Sequence, residues 1–263
     1  MMTVPRRWIC LLAAAAALTG CGGGGDPSNR TPSNVAGAAS ATGLWQGTFS
    51  PSDGTARGFS LLIAPDGRFA GVVDSTSLNG RLLLGTATTV LSSVSGSGKV
   101  FAQAGEKLLP NGESSDLLTL SNGALVARVS LSGTLSGGGE SATFALTYED
   151  TRDASLQSIA GVYGGYPIDN RRVPSSTLTV NGNALTWAND SGCNGAGNIE
   201  VIDPGLNMYS WSMLLAGCSG APDHTILGLG TLGSDPLSAS GLQLRLYGAT
   251  ATNELPFVFL GFK

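Results

Sequence analysis

Beyond residue 42, hydrophobic and polar positions alternate with a period of two through much of the chain. Ala142-Thr143-Phe144-Ala145-Leu146-Thr147-Tyr148 and Gly241-Leu242-Gln243-Leu244-Arg245-Leu246-Tyr247 each place apolar residues on one face and polar residues on the other, the pattern of a half-buried strand. Ser60 to Phe69 reads as a hairpin around Asp66-Gly67, and Thr177 to Leu185 as another around Asn181-Gly182. Both dipeptides accept the positive φ of a tight turn. Tyr209, Trp211 and Met213 share one face of a further strand, and Ile226-Leu227-Gly228-Leu229 forms another. The one helical signal is short: Asp153 as a cap for Ala154 to Ala160. Successive strands joined by short turns favour antiparallel pairing, and a long glycine-rich sheet curls and closes to remove its edges. The expected fold is all-β: two tandem small antiparallel β-barrels or strongly curled sheets, each of about seven or eight strands.

The division into two rests on a weak internal repeat at a spacing of about 118 residues. Gly43-Leu44-Trp45-Gln46-Gly47-Thr48-Phe49 opens the first half and Gly161-Val162-Tyr163-Gly164-Gly165-Tyr166 opens the second. In each, the turn-bearing hairpin follows the opening, and the two alternating strands quoted above stand near the ends. Between them lies the densest charge cluster, Glu149-Asp150-Thr151-Arg152-Asp153, a solvated boundary. The expected organisation is 1–20 signal peptide, 21–41 tether, 42–149 first lobe, 150–160 linker with a short helix, and 161–263 second lobe.

The N-terminal residues change where this fold must work. Arg6 and Arg7 precede an apolar run from Trp8 to Leu18, too short for the roughly 20 residues of a membrane-spanning helix. Leu18-Thr19-Gly20-Cys21 resembles the lipobox of bacterial lipoproteins. That resemblance implies cleavage before Cys21 and acyl chains on it, an anchor to the membrane. Gly22, where an aspartate often marks inner-membrane retention, implies the outer membrane, facing the periplasm or the cell surface. Gly22 to Gly25 and the Pro-, Ser- and Asn-containing residues after them bury too little apolar surface to fold, and read as a tether. Loss of Arg6 and Arg7 leaves 12 of 14 Lys+Arg against 18 Asp+Glu, a mature net charge of about −6, so nucleic acid is not an expected partner. Of four cysteines, Cys10 leaves with the signal and Cys21 takes lipid. Cys193 and Cys218 remain, an even pair in an oxidising compartment, and a disulfide is expected.

Two further resemblances bear on the lobes. Gly43-Leu44-Trp45 resembles the Gly-x-Trp that opens lipocalins and related calycin barrels, which implies that Trp45 plugs one end of a barrel, with Tyr163 in the same place in the second lobe. Exported metalloprotease inhibitors share this kind of start, and 33–42 would be their inhibitory segment. Ser191-Gly192-Cys193-Asn194-Gly195-Ala196-Gly197 followed by Cys218 resembles the Gly-Cys-Asn segment of META/HslJ-like envelope lipoprotein domains, which are also small curled β domains.

Reactive constellations are sparse. The sole histidine, His224, in Pro222-Asp223-His224-Thr225, reads as a solvated loop residue, and no Gly-x-Ser-x-Gly elbow supplies a nucleophile. Glu106, Glu113 and Asp116 could be paired carboxylates but read as loop charges, as do Asp150 and Asp153. Asp190, Asp203 and Asp223 are too scattered for a calcium loop, and neither Gly22–Gly25 nor Gly137-Gly138-Gly139 sits between strand and helix as a phosphate cradle would. No cofactor, metal or enzymatic activity is expected. The chain reads as a lipid-anchored, non-catalytic binding or envelope-interaction module. Its partner would be another envelope protein or a small apolar ligand. Tyr209, Trp211 and Met213 are the candidate ligand-facing stripe, since Met and Trp suit adaptable apolar pockets.

Overall fold

The computed structural model describes residues 40–52, 54–73, 80–102, 108–149, 153–165, 176–218, 222–234, 241–252 and 255–263. The signal, Cys21, nearly all of the tether, Glu106, Asp150 and Tyr166 lie outside the described residues.

Two closed antiparallel barrels of eight strands each account for the rest. The first runs β1 (Gly43–Pro51), β2 (Arg57–Ile63), β3 (Arg68–Val73), β4 (Arg81–Val90), β5 (Ser93–Ala102), β6 (Ser115–Val126), β7 (Ser130–Gly137) and β8 (Glu140–Tyr148), each paired with the next, and β8 returns to β1 from Trp45↔Tyr148 to Pro51↔Ala142. The second runs β9 (Gly161–Gly165), β10 (Ser176–Asn181), β11 (Ala184–Asn189), β12 (Asn194–Asp203), β13 (Met208–Ala216), β14 (His224–Ser234), β15 (Leu242–Thr250) and β16 (Pro256–Phe262), and β16 meets β9 at Gly164 and Gly165.

The repeat is written into how each barrel begins. Gly43 and Gly161 both take a φ near +140° (137° and 141°), which a side chain would strain. Two residues later stand Trp45 and Tyr163, each fully buried. Trp45 Nε1 donates to Ala41 O at 2.7 Å, and Tyr163 Oη donates to Ile159 O at 2.9 Å, in both cases four residues back. In each barrel a buried aromatic ring joins the interior core while its polar tip ties down the incoming chain, so burial of a large apolar body costs no orphaned donor.

Two sequence expectations are corrected in detail, and a third is refined. The linker helix, α1 (Leu156–Ile159), is capped by Ser155 rather than Asp153: Ser155 Oγ accepts from Ser158 N at 3.0 Å. The second hairpin turns on Gly182-Asn183, not on Asn181-Gly182, because Asn181 still pairs with Ala184 and only Gly182 carries a positive φ, 59°. The two alternating strands do stand near the ends of their halves, 142–148 in β8 and Leu242 to Tyr247 in β15, the seventh strand of its barrel, so that by position the counterpart of β8 is β16.

β16 escaped notice because Phe257-Val258-Phe259-Leu260 does not alternate. The physical reason is a second apolar contact. The outer faces of β2, β3 and β4 present Leu62, Ala70, Val72, Leu82 and Leu84, and they form one buried cluster with Leu229, Tyr247, Ala249 and Leu260 from β14 to β16. Strands that are buried on both faces lose their polar positions. The barrels therefore pack side by side, each with its own interior core and a shared one between them.

Candidate functional site: the cleft between the barrels

The sequence-derived stripe comes out as a single face, and that face is interior. Tyr209, Trp211 and Met213 are 0%, 3% and 1% exposed within the core of the second barrel. Trp211 Nε1 donates to Leu229 O at 3.0 Å. Gly228 and Gly248 let the indole lie against the strands, since a Cβ at either would come within 2.8 Å of its ring. Tyr209 Oη meets Ser158 Oγ at 3.2 Å and lies 3.3 Å from both the backbone N and O of Ser155, so it seats α1 against the barrel. Burial raises the Tyr209 phenol above its ordinary pKa, and the bonds from Ser158 and Ser155 pull the other way. Both polar tips are thus taken by the protein.

The other candidates are local structure. Asp116 accepts from Asn111 Nδ2 at 2.8 Å, Leu117 N at 2.7 Å and Gly138 N at 3.1 Å, which fixes two turns. Glu113 is exposed, and Asp153 is exposed in the linker. Asp203 caps its own turn through Gly205 N. His224 opens β14, with Nδ1 2.7 Å from Pro222 O. Among the described residues, no three His, Cys, Asp or Glu side chains gather as metal ligands would. Cys193 and Cys218 are joined as expected, just past the Asn194↔Ala216 end of the β12–β13 ladder.

Polar chemistry collects instead where the shared core gives out. Along the outer face of β15, Gln243, Arg245 and Tyr247 follow one another at alternate positions. They face a row from the first barrel, Gln46, Ser60 and Val72, aligned by the register of β1, β2 and β3. Together with Gly47, Gly58, Phe59 and Leu260 these residues line a cleft of about 350 Å³. Arg245 is half-buried in it, and its Nε donates to Gln243 Oε1 at 2.5 Å. Gln243 is 7% exposed, so its amide holds the guanidinium in one place. Among the described residues no carboxylate lies within ion-pair distance of Arg245. Opposite it in the β14–β15 register stands Thr231, 1% exposed, whose Oγ1 has no hydrogen-bond partner among the described residues. Burial drives the neighbouring Tyr247 phenol up, with Arg245 drawing it partly back, so it stays a neutral wall at ordinary pH.

An arginine has five N–H donors in a planar fork, and a carboxylate or phosphate is the acceptor that fork matches. Low exposure strengthens the attraction relative to open water. The cleft can therefore hold an anion. The sequence reading missed it because Arg245 sits in a strand that alternates like any other, and the cleft exists only once β15 lies beside β1 to β3. The signal available in advance was a lone arginine flanked by Gln243 and Tyr247 on one strand face.

No protein-family model, no curated protein and no solved structure matches this chain.

Proposed function

We propose that the chain is a lipid-anchored binding protein of the bacterial outer membrane, without catalytic activity, that takes a small ligand bearing a carboxylate or phosphate in the cleft between its barrels. The observation that carries the binding reading is Arg245: a half-buried guanidinium, held by Gln243, with no carboxylate beside it among the described residues. A cleft of about 350 Å³ suits a small molecule. Gln46 and Ser60 add neutral polar groups on the facing wall. The lipobox at Leu18 to Cys21 supports the anchor, and Gly22 supports the outer membrane. The cleft is better supported than the Tyr209, Trp211 and Met213 stripe, whose polar tips are already bonded within the protein. An anionic ligand is accordingly proposed ahead of the envelope protein or small apolar ligand that the sequence suggested.

The test is native mass spectrometry of the exported, gently purified chain, with melting curves in inorganic phosphate and citrate. A co-purifying anionic adduct, or a melting temperature raised by either anion, is expected, and Arg245→Ala should weaken it by roughly 10- to 100-fold, the equivalent of one or two charge-assisted bonds. Binding that survives Arg245→Ala overturns the cleft. An adduct of neutral, lipid-like mass would return the ligand to a barrel interior, and a bare chain indifferent to both anions would leave a protein partner as the better reading.

A further inference from the structure

Four large aliphatic side chains stand exposed on two neighbouring hairpin tips at one end of the first barrel. The β4–β5 tip carries Val90 and Leu91, 65% and 71% exposed, and the β6–β7 tip carries Val126 and Val129, 56% and 60% exposed. Leu125 N donates to Ser92 O at 2.8 Å, which sets the two tips side by side. Leu91 is in a two-residue loop, since Val90 pairs with Ser93, and its φ is +56°. Glycine, asparagine or aspartate belongs at such a position. A leucine there strains the backbone and displays an apolar side chain to water, so the fold gains from it neither packing nor turn geometry. At the second tip Arg128, φ +54°, sits between the two valines with its guanidinium 5.9 Å from the Tyr148 ring centroid.

The same end receives the chain from its N-terminal side. Tyr148 N donates to Val129 O at 3.1 Å, Tyr148 pairs with Trp45, and Glu149 N donates to Leu44 O, so one strand separates the second tip from the start of β1. Cys21 and Ser40 are 19 residues apart, a covalent reach of at most about 65 Å. An acylated Cys21 would tether the first barrel by this end, within that distance of the leaflet.

We propose that these two tips seat on the leaflet that holds the Cys21 lipid: Val90, Leu91, Val126 and Val129 enter the boundary between headgroups and acyl chains, and Arg128 stays among the lipid phosphates. This rests on the lipoprotein reading. Aliphatic tips with a basic shoulder are the pattern of an interfacial contact, and anionic lipid attracts each such cation. The barrel pair would then ride with one end down rather than free on its tether.

The full chain, purified with its lipid and reconstituted in phosphatidylethanolamine/phosphatidylglycerol vesicles, tests this. Leu91→Cys and, separately, Val129→Cys carry an environment-sensitive NBD label, and Ser114→Cys, exposed just before the far end of β6, is the reference. Blue-shifted emission at 91 and 129, quenched by doxyl-labelled lipid and absent at 114, is expected. Leu91→Gly, better suited to the turn, should keep or raise the melting temperature while reducing quenching at 129. Solvent-like emission at both tips on an acylated chain overturns the seating and leaves the anchor standing. A blue shift without lipid quenching also overturns it, in favour of a protein partner. Mass spectrometry of the same sample reads Cys21, and an unacylated cysteine overturns the anchor and, with it, the inference.

Discussion

The two barrels start alike and finish differently. Each opens with a glycine near φ +140° and a buried aromatic whose tip binds a carbonyl four residues back. Away from that shared device they are held by unrelated means. The first barrel has an ion pair between Arg81 and Glu140, both nearly buried, among Phe49, Val73, Leu83, Val100 and Leu118, with about 10 Å³ left beside it, room for at most one water. The second has a disulfide at its rim and the α1 segment, with Ala154 and Ile159 in its core. What persists between the halves is the element that sets where a barrel begins; what varies is how the remaining rim is secured.

The largest expected effect lies in the first barrel. Removing one partner of a buried ion pair leaves the other charge uncompensated, which costs about 3–5 kcal/mol, while replacing both by apolar residues of similar volume is often neutral. Arg81→Ala should therefore lower the melting temperature sharply, and Arg81→Met with Glu140→Met should recover most of it. Equal damage from the single and the double variant, read by calorimetry, would show that the pair acts through something other than its charges.

In the second barrel the corresponding break is Cys193→Ser. Closing a loop of 25 residues limits the unfolded chain by about 3 kcal/mol. For a chain of this size that is a fall of roughly 6–12 °C in melting temperature. The shared cluster of Leu62, Leu82 and Leu84 with Leu229, Tyr247 and Leu260 couples the barrels, so the shift should appear in a single transition. A melting curve unchanged by reduction would remove the disulfide from the account of stability.

These differences also mark what could be read beforehand. Strands with one wet face announced themselves: β8 and β13 alternate because their inner residues meet a core and their outer ones meet water. Strands between the barrels did not. In β3 both faces are largely buried and in β16 neither face is exposed, so alternation vanishes, and with it the sign that the lobes pack together. The turn at Gly182 slipped by one residue because either Asn181 or Asn183 can flank the glycine, and only pairing of Asn181 with Ala184 decides. Cys193 and Cys218 were legible by counting. Arg245 was not, because its meaning comes from Gln46 and Ser60, residues about 200 positions away in the chain.

The smallest expected effect sharpens the one thing the barrels share. Tyr163→Phe keeps the ring and deletes the bond to Ile159 O, a loss of about 1 kcal/mol near neutral pH. Its pH dependence is the sharper reading. Burial, with Tyr209 adding to it, pushes the Tyr163 pKa up to about 12 from an unfolded value of 10.0. Between those values the unfolded chain releases a proton that the folded chain retains, so stability is complete below pH 10 and falls as pH rises toward 12. Tyr209 and Tyr247, also raised by burial, push the same way. Tyr163→Phe should thus start less stable at pH 8 and lose less on the way to pH 12, so that the two alkaline unfolding curves converge. Trp45 does the same job in the first barrel with an indole that does not titrate in this range, and so confers no alkaline weakness there. Parallel curves for wild type and Tyr163→Phe would mean that Tyr163 reaches water in the folded state, and that the opening of the second barrel is looser than that of the first.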